Sequence, residues 1–151
     1  MEYKITEKMT KERIDEIFKV KEKNGLTPET LLQQAKKRNS NLHELFEWDD
    51  TIAGQQWRLQ QARVLINEVK VIIDQQEMYA FESVCVQIED SADTNREYKS
   101  IYDIKSDIEY KRQVIESAYR QLMYWKQKYQ AYSEFSDVIE SIIRLEKTKV
   151  K

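Results

Sequence analysis

Apolar positions along this chain repeat with a helical period, then with a period of two, then with a helical period again. In TKERIDEIFKVKEKNG, Ile14, Ile17 and Phe18 share one helical face, Thr10 stands where an N-cap belongs and Gly25 at C′. In LTPETLLQQAKKRN, Thr27 is the cap, Pro28 occupies N1 and Glu29 the first turn, with Leu31, Leu32 and Ala35 facing inward. SNLHELFEW reads as a short third helix capped by Ser40 or Asn41, because Leu42, Leu45 and Phe46 are spaced i, i+3, i+4. Together these form a helical cluster over residues 10–48.

Asp49 or Asp50 is then placed to cap a core helix over 49–69. Leu59, Ala62, Ile66 and Val69 make its buried stripe, with Trp57 and Val64 at the border. Gly54 falls in the second turn of that helix, where close approach of another backbone would explain it. The period changes to two in EVKVII, AFESVCVQIE and REYKSIYD. Val84, Val86 and Ile88 point to one face, Phe81, Ser83 and Cys85 to the other. With DQQEMY and DSADTN as polar connections, the pattern predicts a three-stranded antiparallel sheet over 68–103.

From Asp107 a long helix is expected over 107–146. Ile115, Ala118, Leu122, Trp125, Tyr129, Tyr132, Phe135, Ile139 and Ile142 follow steps of three and four, with one slip between Tyr132 and Phe135. Forty residues of helix span about 60 Å, more than the diameter of a domain this size. The helix therefore breaks near 133–136, or part of its seam packs on a second copy. The predicted fold class is α+β in a single domain, residues 1–151: N-terminal helical cluster, core helix, small sheet and long C-terminal helix.

Composition supports a helix-rich, highly charged chain. Two glycines and one proline in 151 residues leave too few breakers for a β-sandwich or a glycine-rich nucleotide fold. No apolar run reaches membrane-spanning length, MEYKITEKMTKE lacks the apolar core of a secretory signal, and one cysteine excludes a disulfide framework. The expectation is a cytoplasmic protein with no membrane contact. Residues 1–46 carry a net +2, residues 47–97 a net −7 and residues 98–151 a net +3, a distribution that suits association with itself or another protein better than strong nucleic-acid binding.

Candidate chemistry is sparse. His43, Glu47 and Asp50 share helical spacing, but nothing completes a closed zinc set, so no metal and no cofactor are expected. Cys85 sits among strand residues where cysteines pack inertly. Neither glycine flanks a GK pair, and Asp49 and Asp50 diverge at a helix start, so no enzyme is expected. Arg58 and Arg63 read as salt-bridge partners, Arg58 lying too far from Asp50 for a local helical pair. The aromatic seam is the stronger candidate: Trp125, Tyr129, Tyr132 and Phe135 are the residue types favoured where an apolar face meets a protein partner. The alternative is DNA binding by a helix-turn-helix-like segment at 27–47, with Asn41 and His43 on the reading helix and Lys36, Lys37 and Arg38 against phosphate. Four carboxylates, Glu44, Glu47, Asp49 and Asp50, crowd that face and oppose it.

LTPETLLQQA, SNLHELFEWDD, WRLQQARVLINEVKV and AYRQLMYWKQKYQAYSEFSDVIESI resemble a family of small proteins encoded by tailed phages and prophages. The resemblance covers most of residues 26–143. It is most specific at Phe46–Glu47–Trp48–Asp49–Asp50 and Gln61–Ala62–Arg63, and departs at Asn41, where the family usually has proline, and near Gly54, where it has alanine. It implies a phage origin, hence the host cytoplasm, rather than an activity. The combined expectation is a non-enzymatic phage or prophage accessory protein that binds a protein, either as a homodimer or as a modulator of a host or phage protein.

Overall fold

The computed structural model describes residues 2–50, 54–88 and 94–149. The chain packs as two compact units, Met1–Tyr110 and Lys111–Lys151. No helix among the described residues is long and apolar enough to cross a membrane.

The first unit opens with helix α1, Lys11–Asn24, capped by Thr10, and helix α2, Pro28–Ala35. The α2 start is a reciprocal box: the Thr30 amide donates to the Thr27 hydroxyl at 3.1 Å, and the Thr27 amide to the Thr30 hydroxyl at 2.9 Å. Two donors that a helix start leaves unpaired are thus satisfied. Gly25 ends α1 at φ +73° and ψ 151°, a conformation nearly restricted to glycine. A Cβ there would also stand 2.7 Å from the Glu97 carboxyl group.

The expected third helix is a single 3-10 turn, His43–Leu45. The Trp48 indole N–H donates to the His43 carbonyl at 2.8 Å, claiming the oxygen a continuing helix offers to residue 47. The Glu47 amide turns instead to the Gln61 side chain. Leu42 and Phe46 still reach the core, while Leu45 packs at its margin.

Helix α3 spans Gln55–Glu68, six residues shorter at its start than expected. Gly54 is its N-cap, in extended conformation with open space around it, so neither an aspartate cap nor a close backbone approach applies. The predicted stripe holds: Leu59, Ala62, Ile66 and Val69 are buried, joined by Leu65, and Trp57 and Val64 are exposed. Residues 51–53, inside the expected helix, lie outside the described residues.

The sheet differs from the expected three strands. Strands β1 (Lys70–Ile73) and β2 (Gln76–Tyr79) form one antiparallel hairpin, β3 (Phe81–Gln87) and β4 (Thr94–Ser100) another. The stretch expected to be a connection contains β2, because the chain reverses at Asp74 and Gln75 with φ of 50° and 64°. Positive φ at both central residues is the tight hairpin turn whose strand twist matches its flanks. Tyr3 adds a bridge to the other edge of β1. Ala80 ties the hairpins: its amide donates to the Val69 carbonyl, and its carbonyl accepts from the Ile101 amide. Burial in the second hairpin declines from the Phe81–Ser100 end outward, so of the face Val84, Val86 and Ile88 only Val84 is buried. The third expected strand, REYKSIYD, ends at Ser100, whose side chain caps a short helix α4, Ile101–Ser106.

Helix α5 runs Ile108–Tyr129, begun by the Asp107 carboxylate, which accepts from the Glu109 and Tyr110 amides. After a break comes a 3-10 turn, Ser133–Phe135, and helix α6, Ser136–Lys149. The expected long helix is therefore two helices, interrupted where the heptad slips.

The turn chemistry gives the first prediction. Gln75→Gly relieves the positive φ of a side-chain-bearing residue and should stabilise the protein by about 1 kcal/mol in urea denaturation. Gly25→Ala should destabilise it by more than that, because both backbone conformation and the Glu97 contact oppose a Cβ.

Candidate functional site

Two regions of the chain concentrate polar or aromatic side chains. The first is the turn region after α2, within the first unit. Glu16 of α1 faces it and accepts hydrogen bonds from the Gln34 side chain (2.6 Å), the Ser40 hydroxyl (2.6 Å), the Asn41 amide (2.9 Å) and the Asn41 side chain (3.0 Å). Partial burial of the carboxyl pushes its pKa up, but the donors from Gln34, Ser40 and Asn41 outweigh this and hold it below the ordinary value. Arg13, one turn earlier, donates to the Lys8 and Asn41 carbonyls and pairs with Glu44.

Bonds within the first unit engage three of the five residues read as a DNA-contacting set, Lys37, Asn41 and His43. Asn41 is bound to Glu16. His43 Nδ1 lies 2.8 Å from the Ala35 carbonyl, so that nitrogen carries the proton, and the ring stacks on Trp48 at 4.9 Å and 14°. The Lys37 ammonium donates to Gln34, and Lys36 caps the end of α2. Arg38 is exposed. The reading helix those residues require is absent, replaced by the 3-10 turn.

The metal trio is also dispersed among other bonds. Glu47 accepts from the Asp49 amide, and Asp50 pairs with Arg58. No group of three or more His, Cys, Asp or Glu placed to hold a metal occurs among the described residues.

Arg58 is the expected salt-bridge partner and more. It is 8% exposed, donates its Nε–H to the Glu47 carbonyl at 2.9 Å and lies 5.6 Å over the Trp48 ring. His43, Trp48 and Arg58 thus form one packed layer that ties the turn region to α3. Arg63 makes no ion pair among the described residues; its charge acts on Tyr98, whose phenol pKa burial raises and Arg63 partly lowers. Cys85 is half-buried, with Arg96 Nη1 at 3.7 Å from its sulfur.

The second region is the α5–α6 hairpin in the C-terminal unit. Three of the four seam residues meet at its bend: Trp125 lies 5.2 Å from both Tyr129 and Phe135, and Tyr129 lies 6.0 Å from Phe135. Tyr132 touches Tyr129 at 6.4 Å but stays 57% exposed. These aromatics close the bend, and only Tyr132 and Phe135 present much surface. Further along, the Lys126 ammonium meets Glu146 at 2.6 Å and Lys149 lies 3.9 Å over Tyr119.

Around the Lys149–Tyr119 contact the helices leave an apolar groove of about 450 Å³, lined by Ile115, Ala118, Tyr119 and Leu122 of α5 and by Leu145, Thr148 and Lys149 of α6. Only Ile142 is fully buried in the two helices. The α6 wall of this groove was missed from sequence, since Leu145 lies past the last seam residue. Its spacing of seven from Val138 was the available signal.

No family model, curated protein or solved structure matches the chain.

The Glu16 carboxylate gives a pH prediction. Its pKa is lowered on folding, so its contribution is present above the unfolded value of about 4.3 and fades as pH falls through the folded value. Glu16→Gln should cost on the order of 1–2 kcal/mol at pH 7. The gap between wild type and variant, measured by urea denaturation, should close as pH drops below 4.3. A gap constant with pH would contradict this role.

Proposed function

We propose that this chain is a non-enzymatic accessory protein of phage or prophage origin that works by binding a protein through the apolar face of its α5–α6 hairpin. The observation that carries the reading is the groove over Ile115, Leu122 and Leu145, in a hairpin whose only fully buried side chain is Ile142. Helices in water draw most of their stability from a covered apolar face. Here exposed apolar positions recur at a spacing of seven on both helices, Ile115 with Leu122 and Val138 with Leu145. A groove of this kind is the receptor half of helix-in-groove recognition.

The rest of the chemistry agrees with a binding role. The lone histidine spends Nδ1 on a backbone carbonyl and its face on Trp48. Glu16 and Arg58 are saturated by bonds that join α1, α2, the turn region and α3. The phage origin rests on the Phe46–Asp50 and Gln61–Arg63 resemblance.

The test places a photoreactive phenylalanine at Leu122 in the full chain, illuminated in the cell that makes it. The expected outcome is a discrete protein adduct that disappears when Leu145→Glu is added, with the helical circular dichroism intact. A folded chain that gives no adduct overturns the reading.

A further inference from the structure

We infer that the occupant of the hairpin's apolar face is a second copy of this chain, docked antiparallel through α6. The inference rests on the proposed binding role and names its partner.

The order of residues along α6 sets the pairing. Val138, Ser141, Leu145 and Thr148 step by three, four and three, forming one stripe, and all four are exposed. The stripe is distinct from the inward side, where Ile142 is buried and Glu146 meets Lys126. Along one flank of the stripe lie Asp137, Glu140, Arg144 and Lys147. The first two are acidic and the last two basic, arranged about a centre at Ser141–Ile142.

This order is self-complementary. When two α6 helices cross antiparallel about that centre, Asp137 of each meets Lys147 of the other, and Glu140 meets Arg144. Val138 of one then lies beside Leu145 of the other, and the small Ser141 side chains allow close approach at the axis. A two-fold interface requires this reciprocity: if position i meets j, then j meets i. A parallel two-fold pairing turns this flank toward the partner's opposite flank, where Ile142 is buried and Glu146 meets Lys126, and leaves the four charges unmatched. The cross-helix charges are also available. Arg144 and Glu140 are 76% and 67% exposed, joined only by a 3.5 Å contact within their own helix, an exposed pair that contributes little.

The same arrangement accounts for the groove. An antiparallel partner carries its bend toward the Leu145–Lys149 end, so its exposed Tyr132 and Phe135 come over the apolar floor of Ile115 and Leu122. The aromatic residues read as a binding seam then act from the partner's side. Two hairpins joined in this way make a four-helix bundle, the arrangement in which paired helices share an enclosed core.

The test uses the full chain in sedimentation equilibrium. Wild type is expected at twice the chain mass, and Leu122→Glu and Leu145→Glu at the single mass with unchanged helical signal, because both positions are on the surface. The decisive pair is Asp137→Lys with Glu140→Lys in one chain and Arg144→Glu with Lys147→Glu in another. Each alone should raise the dimer dissociation constant by about tenfold or more. Mixed one to one, they should form a heterodimer, since all four reciprocal contacts become attractive. Wild type that stays monomeric on the order of 100 µM overturns the second copy, as does a groove adduct of any mass other than twice the chain; that adduct leaves the binding role standing. Dimers that survive both charge swaps overturn the antiparallel pairing.

Discussion

The Glu16 carboxylate is the interaction around which the first unit is organised. Its four donors come from α2, from Ser40 and from both the backbone and side chain of Asn41. A helix end normally releases the chain to solvent; here the segment after α2 is bound back onto α1 at once. That fixes where Leu42 and Phe46 enter the core and where Trp48 can claim the His43 carbonyl. Arg58 then fastens the same segment to α3. A region dense in charged and aromatic side chains is thereby explained by attachment, with its donors and acceptors matched to one another. Buried polar groups are stabilising when so matched and costly when not.

The legible part of this fold was the part governed by periodic burial. Helices α1 and α2, with Thr10, Thr27 and Gly25 at their ends, follow from local chemistry, and the α3 stripe follows from spacing. What could not be read involved competition for a particular atom. The helix expected at 40–48 is lost because an indole five residues along takes a carbonyl. The expected aspartate cap is lost because Asp50 goes to Arg58. Strand β2 was hidden because Asp74 and Gln75 adopt positive φ without the glycine that normally advertises such a turn.

The C-terminal helices show a different limit. Their heptad positions were plain, and so was the slip at Tyr132–Phe135. A heptad seam, however, does not say which residues face inward once a helix folds back on itself. The bend directs Trp125, Tyr129 and Phe135 onto one another and leaves Ile115, Leu122, Val138 and Leu145 outside. The exposed set is thus a product of the break, and it appears only when the two halves are placed side by side.

The three tryptophans occupy three different environments. Trp48 packs against both the His43 ring and the Arg58 guanidinium, Trp57 stands 56% exposed on α3, and Trp125 sits among the aromatics of the bend. The molecule therefore carries its own optical labels. The emission of Trp48, stacked on the His43 ring, reports the packing of the turn region, that of Trp57 reports bulk water, and that of Trp125 reports the aromatic bend between α5 and α6. Single-tryptophan versions of the chain would follow the surroundings of each of the three positions by themselves, with no dye attached.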